Sequence, residues 1–151
     1  MAEIKKEPET TTLYVDGTNM ILGRLASYLA KQALKGNKVI LFNCEKMVIT
    51  GDKQKTLGYY NERMQKIKGH RKGPFWPRRP DNLVRRTIKK MLPFKRERGK
   101  EAIARVEVYI NVPSVAEGKK TTAFEKALLP PKTKFISIEE LSKKIGSTGW
   151  Y

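Results

Sequence analysis

The sequence predicts a three-layer α/β domain built on a small, mostly parallel sheet. Three observations lead there. A strand, an amphipathic helix and an almost wholly apolar strand follow one another between residues 13 and 43, which is a βαβ unit with parallel strands. Further helical patterns between residues 81 and 104 lead into a period-two run at 105–110. Of the 151 residues, 39% are hydrophobic, enough for one domain with its own core and too many for wholesale disorder.

Residues 1–12 are polar and charged and are expected to form a flexible N-terminal tail. Leu13-Tyr14-Val15-Asp16-Gly17 reads as a strand ending in a turn, where Thr18 or Asn19 can cap the next helix. In that helix Leu22, Leu25, Ala26, Leu29, Ala30, Ala33 and Leu34 fall on one face, and Gly36 suits a left-handed C-terminal position. Lys38-Val39-Ile40-Leu41-Phe42-Asn43 is the near-continuous apolar run of a strand covered on both faces. Met47 to Thr50 is another short strand. Lys53 to Lys68 is helical in composition, with Leu57, Tyr60, Met64 and Ile67 three or four apart. Residues 69–80 form a loop with Pro74, Pro77 and Pro80. Asp81 or Asn82 can cap a helix whose apolar pairs are Leu83/Val84, Thr87/Ile88 and Met91/Leu92, and Pro93 ends it. A short basic helix over Arg96–Ala104 leads to the strand Arg105–Ile110, expected at a sheet edge. Thr122–Leu129 reads as a helix stopped by Pro130-Pro131. Ser137-Ile138-Glu139-Glu140 is a capping box for a last helix through Ile145. The division is thus a tail at 1–12, a core domain at 13–113, and a C-terminal helical extension and tail at 114–151.

Lysine and arginine number 32 against 15 acidic residues, a net charge of +17. Residues 1–62 and 101–151 each carry a net of +2, whereas residues 63–100 hold 15 basic and 2 acidic side chains, a net of +13. Like charge at that density repels itself and destabilises a compact chain until a counter-charge arrives, which points to a polyanionic partner. Nucleic acid fits better than an anionic membrane surface. No apolar run approaches the length of a membrane span. The first residues carry no apolar segment of a secretory signal. A single cysteine, Cys44, supports neither an internal disulfide nor a cysteine-based zinc site. A cytoplasmic location is the expectation.

Catalytic constellations are not evident. Gly17 and Gly23 match neither nucleotide-binding glycine pattern, though a helix N-terminus there can bind a phosphate. His70 is the one histidine, so no metal-binding pair or nucleophile relay is available. It is either an RNA contact or a solvated loop residue. Cys44 follows a buried strand and reads as an inert packed thiol. Asp16, Glu45 and Asp52 stand at strand ends without a telling second acid. No cofactor, metal or small-molecule substrate is expected. A nucleotide-handling α/β enzyme and a general nucleic-acid-compacting protein remain as alternatives.

The informative segment is the loop and helix within 63–100. Its candidate RNA-facing residues are Lys66, Lys68, His70, Arg71, Lys72, Phe75, Trp76, Arg78 and Arg79 in the loop. Arg85, Arg86, Lys89 and Lys90 follow on the outward helix face, and Lys95, Arg96, Arg98 and Lys100 lie beyond it. Prolines limit the freedom that the loop loses on binding. Arginine forks match phosphate oxygens and stack on bases. Phe75 and Trp76 either stack on unpaired bases or anchor the loop on the protein's own core. Duplex RNA has too deep and narrow a major groove for a helix to read, so such a face tracks phosphates and 2′-hydroxyls.

These residues resemble the universal large-subunit ribosomal protein thirteen family in its archaeal/eukaryotic form. The resemblance rests on Ile21-Leu22-Gly23-Arg24-Leu25-Ala26-Ser27, Asn43-Cys44-Glu45 with Ile49-Thr50-Gly51, Gly73-Pro74 with Arg79-Pro80, and Met91-Leu92-Pro93-Phe94-Lys95 with Arg98-Gly99. The blocks come in the family's order over residues 13–113. The resemblance implies an α/β/α fold around a four-stranded parallel sheet. It also implies binding to large-subunit ribosomal RNA beside neighbouring large-subunit proteins, and a non-catalytic role early in ribosome assembly. Carried onto this chain, its RNA-facing positions are the loop around His70–Arg79 and the stretch Met91–Gly99. The bacterial form has a glycine-rich turn where this chain has Lys66–Lys72.

Overall fold

The structure is a computed structural model that describes residues 11–65, 75–122 and 124–147. Residues 1–10 of the tail expected at 1–12, most of the basic loop (66–74) and the last four residues lie outside them. The elements in chain order are β1 (Thr12–Asp16), α1 (Leu22–Leu34), β2 (Lys38–Phe42), β3 (Val48–Thr50), α2 (Lys53–Gln65), α3 (Pro80–Met91), α4 (Glu97–Ala104), β4 (Val106–Val108), β5 (Phe135–Ser137) and α5 (Ile138–Lys144).

The βαβ unit forms as its pattern dictates. β1 and β2 pair in parallel, from Thr12 beside Lys38 to Asp16 beside Phe42. The apolar stripe of α1 is buried, with Leu25, Leu29 and Ala33 wholly inside, and Gly36 closes the helix at φ 100°. Neither Thr18 nor Asn19 caps α1. The N-cap is Ile21, without a side-chain bond, because the Thr18 backbone N–H and hydroxyl both donate to Asp16 Oδ1 at 3.0 and 2.7 Å. Gly17 lies where the loops after β1 and β2 meet. A Cβ on it would stand 2.8 Å from Met47 Cγ and 3.1 Å from the Asn43 carbonyl oxygen, so that approach requires glycine.

β4 joins β2 in parallel at the edge, giving the order β1-β2-β4. Both steps move the same way across the sheet, so right-handed crossovers place α1, α3 and α4 on one face, where α1 packs on both of the others. Val15, Val39, Leu41 and Val106 of the sheet meet Leu25, Leu29, Leu83, Val84 and Ile88 in the core. On the other face Ile40 and Phe42 are buried, and a Lys38–Glu107 ion pair of 2.8 Å joins β2 to β4.

The parallel sheet has three strands, not four. β3 leaves it and pairs antiparallel with β5, Val48 opposite Ser137 and Thr50 opposite Phe135. Asn43, at φ 52°, redirects the chain through a turn at Cys44–Lys46. Besides β5, Val48 meets the segment before α1, through its N–H to the Met20 carbonyl at 2.9 Å. The helix expected over Thr122–Leu129 is also absent; a single turn at Glu125–Ala127 takes its place. Backbone groups that would close a helix go elsewhere: the Ala127 carbonyl accepts from Ile21 N–H at 2.7 Å, and Leu129 N–H donates to the Asn19 carbonyl at 3.1 Å. Ser137 caps α5 as expected, with Glu140 N–H donating to Ser137 Oγ at 3.1 Å, while the Glu140 carboxylate accepts from Lys53 and Lys144.

Candidate nucleic-acid interface

α3 carries the centre of the basic segment. It begins at Pro80, with Arg79 as N-cap. Proline suits that first position because its missing N–H would have had no helical partner. Asp81 and Asn82 therefore sit inside the first turn, and Asp81 accepts an ion pair from Arg79 at 3.3 Å. Leu83, Val84 and Ile88 fix the inward face. Arg85, Lys89 and Lys90 are exposed, as the pattern requires, whereas Arg86 is half-buried. Met91 does not dock with Leu92: it is 42% exposed.

Beyond α3 the chain turns through Pro93 and Phe94 and enters α4. Gly99 makes this turn possible, since a Cβ there would collide with the Pro93 backbone. The turn holds Phe94 out at 43% exposure, with Lys89 Nζ 5.8 Å from its ring centre. Lys95, Arg96 and Arg98 are exposed beside it. Arg85 reaches across to the Ile103 carbonyl at 3.4 Å and ties α3 to α4. Pro77, Asn82, Arg85, Lys89 and Phe94 line an open groove of about 480 Å³ along this face.

The two loop aromatics part ways. Phe75 is 72% exposed. Trp76 packs against the core and is roofed by cations: the Arg86, Lys90 and Arg63 charge centres lie 3.8, 4.9 and 5.1 Å from the ring centroid. Arg63 also lies 4.1 Å over Tyr59. Arg63 and Tyr59 are not among the candidate residues read from the sequence, and Phe94 enters there only within the stretch Met91–Gly99 that the resemblance implies. Arg63 is the first cation of the basic segment, and Phe94 is the aromatic of its Pro-Phe-Lys turn, so both signals were present. Arg78 is anchored by its backbone, whose carbonyl accepts from Ser142 Oγ at 2.6 Å. Lys66, Lys68, His70, Arg71 and Lys72 lie outside the described residues.

Charge pairing separates this face from the rest. Among the described residues of the segment, Arg79 and Lys100 face a carboxylate, the latter through Glu97 at 2.7 Å. Arg63, Arg78, Arg85, Arg86, Lys89, Lys90, Lys95, Arg96 and Arg98 have none there. The acids at strand ends are all engaged structurally. Burial raises the Asp16 pKa, but hydrogen bonds from Asn43 and Thr18 outweigh it and leave the carboxyl below its ordinary value. Asp52 accepts from the N–H groups of Lys55 and Gln54 at the start of α2, bonds that lower its pKa. Buried Glu45 accepts from Asn111 N–H at 3.3 Å. Burial pushes the Cys44 thiol far up, with Glu45 adding to it, so it is no nucleophile. No group of three or more His, Cys, Asp or Glu able to hold a metal exists among the described residues, and no helix there is long and apolar enough to cross a membrane.

Residues 10–114 match the family described as Ribosomal protein L13. The chain is 43% identical over 137 residues to the large ribosomal subunit protein uL13 of Methanocaldococcus jannaschii, covering 88% of this chain and 96% of that protein. It is 40% identical over 132 residues to the protein of the same name from Thermoplasma volcanium, covering 87% and 96%. The match takes in the βαβ unit, the loop, α3, the turn at Pro93 and α4 together, and on that breadth the chain belongs to the ribosomal protein L13 family, a family of structural ribosomal proteins and not of enzymes.

Proposed function

We propose that this protein is a component of the large ribosomal subunit that binds folded large-subunit RNA through the face formed by α3, the Pro93–Phe94 turn and the start of α4. It acts early in assembly, in the cytoplasm, beside neighbouring large-subunit proteins. The observation that carries the reading is the set of nine cations that, among the described residues, have no carboxylate partner, with Phe94 and Phe75 exposed on the same segment. Each such cation displaces counterions when it meets a phosphate, and each exposed ring offers a stacking surface to an unpaired base. The loop residues Lys66 to Lys72 extend the same face in sequence. The parallel-sheet core holds the face rigid, so that it can fasten converging RNA strands without catalysing anything.

The test is binding of the isolated protein to large-subunit RNA across a salt series. A protein that contacts about eight phosphates should lose about 10³–10⁵-fold in affinity between 50 and 200 mM salt. Changing Arg78, Arg79, Arg85 and Arg86 to Ala should weaken binding and flatten that dependence; unchanged affinity and slope would remove the proposed face. Equal affinity for duplex DNA would favour the compaction alternative.

A further inference from the structure

We propose that the cavity between α2 and α3, walled by Trp76 and framed by Arg63, Arg86 and Lys90, is a binding site for one phosphate group, filled in the complex by a single backbone phosphate of the RNA. This rests on the RNA-binding reading and assigns it a particular subsite. Cations from two helices converge here on one indole, at 3.8 to 5.1 Å from its centroid. Each gains from the ring face, but the ring carries no net charge and cannot neutralise three. Among the described residues none of the three has a carboxylate partner. Burial first, then the Arg86 and Arg63 guanidinium groups, hold the Lys90 ammonium below its ordinary range, as expected where positive charge has nothing opposite it.

Two donors at the same place lack acceptors. Trp76 Nε1 and Arg86 Nε are both buried with no hydrogen-bond partner. A buried donor left unpaired is costly, and phosphate brings the acceptor oxygens and negative charge that this corner lacks. The cavity measures about 240 Å³, room for a phosphate group together with water at about 30 Å³ per molecule. Tyr59 at its rim is half-exposed and offers a ring to the adjoining base.

The site also explains how α2 is held. None of the residues of α2 is fully buried; it leans on the body through half-buried Leu57, Tyr60 and Met64. A phosphate bound by Arg63 of α2 and by Arg86 and Lys90 of α3 would join the two helices. RNA binding would thereby fix α2 as well as use it.

The experiment uses the full chain with Trp150→Phe, which leaves Trp76 as its one tryptophan. Inorganic phosphate is titrated against sodium chloride at equal ionic strength, reading tryptophan emission and Tm. A saturable emission change and a raised Tm are expected with phosphate alone, both lost in Arg63→Gln and in Lys90→Gln. In the RNA arm each variant should bind with a salt slope shallower by about 0.7–0.9, one phosphate's worth. Phosphate acting no differently from chloride, with unchanged RNA slopes in both variants, would overturn the subsite while leaving the RNA reading standing. A phosphate response with unchanged RNA slopes would overturn RNA as the occupant, leaving a site for free phosphate. Failure of the unaltered protein to bind RNA would overturn the wider reading instead.

Discussion

The basic face and the C-terminal helix handle lysine in opposite ways. On α5, Lys143 and Lys144 each lie one helical turn beyond an acid, pairing with Glu139 at 2.7 Å and Glu140 at 2.9 Å, and Lys53 of α2 reaches the same Glu140 at 2.9 Å. On α3, Arg86, Lys89 and Lys90 have no acid at those spacings, and the acid one turn before Arg85, Asp81, pairs with Arg79 instead. Both helices bury an apolar stripe and present charge to solvent, so folding alone does not require the difference. α5 spends its charge within the molecule, where exposed pairs contribute about 0–1 kcal/mol each. α3 keeps its charge for something outside the molecule. Net charge per segment, rather than content of basic residues, is what distinguishes a binding surface from a solubilising one.

The sharpest way to break the comparison is to remove charge from each region in equal number. Arg85, Lys89, Lys95 and Arg98 changed together to Gln should flatten the salt slope by about 3 and lower RNA affinity on the order of 10³-fold at 0.1 M salt, measured by filter binding. Lys38, Lys53, Lys143 and Lys144 changed to Gln remove the same charge and should cost less than about tenfold. Equal losses would reduce the face to bulk electrostatics. Next in size, Ile88→Ala empties a wholly buried position under the basic face and should destabilise the fold by about 2–5 kcal/mol in urea unfolding. Ser137→Ala removes the cap of α5 and should cost about 1 kcal/mol, with RNA affinity unaffected at temperatures where the protein stays folded.

The smallest effect is a pH dependence confined to the paired region. Hydrogen bonds from Lys144 and Lys53 lower the Glu140 pKa, and the bond from Lys38 does the same for Glu107. A carboxylate with a lowered folded pKa adds stability that is full above its unfolded pKa of about 4.3 and fades as pH falls through the folded value. Both side chains are about one-third exposed, so each contributes a few tenths of a kcal/mol after screening. Glu140→Gln should remove its share of stability at pH 7 and leave stability at pH 3 unchanged.

Legibility in the sequence followed the range of the interactions. α1 could be read because seven apolar residues in 13 positions repeat at helical spacing, and β2 because a run such as Val39–Phe42 has few uses other than a covered strand. The cap at Ser137 is a four-residue pattern and was equally plain. The pairing of β3 with β5 joins residues 48–50 to 135–137, three residues on each side and far apart in the chain, and such short strands show no periodicity of their own. The same limit hid the loss of the helix at 122–129, whose backbone is claimed by residues 19–21. At the interface, the outward cations of α3 were visible from the helical period. The convergence of Arg63 on Trp76 was not, because it depends on how two separately legible helices meet. Met91 shows the residual error of periodicity, which assigns faces but not how far the neighbouring layer extends.

The bond from Ser142 Oγ to the Arg78 carbonyl, with the return contact from Arg78 Nη1 to the Gly146 carbonyl at 3.4 Å, makes the end of the chain a splint for the exit of the basic loop. Residues that never meet the partner thereby set the entry angle of those that do. Shortening the protein ahead of α5 should loosen the grip on RNA although it deletes hardly any net charge. Grafting only the basic segment onto another scaffold should transfer attraction without fit.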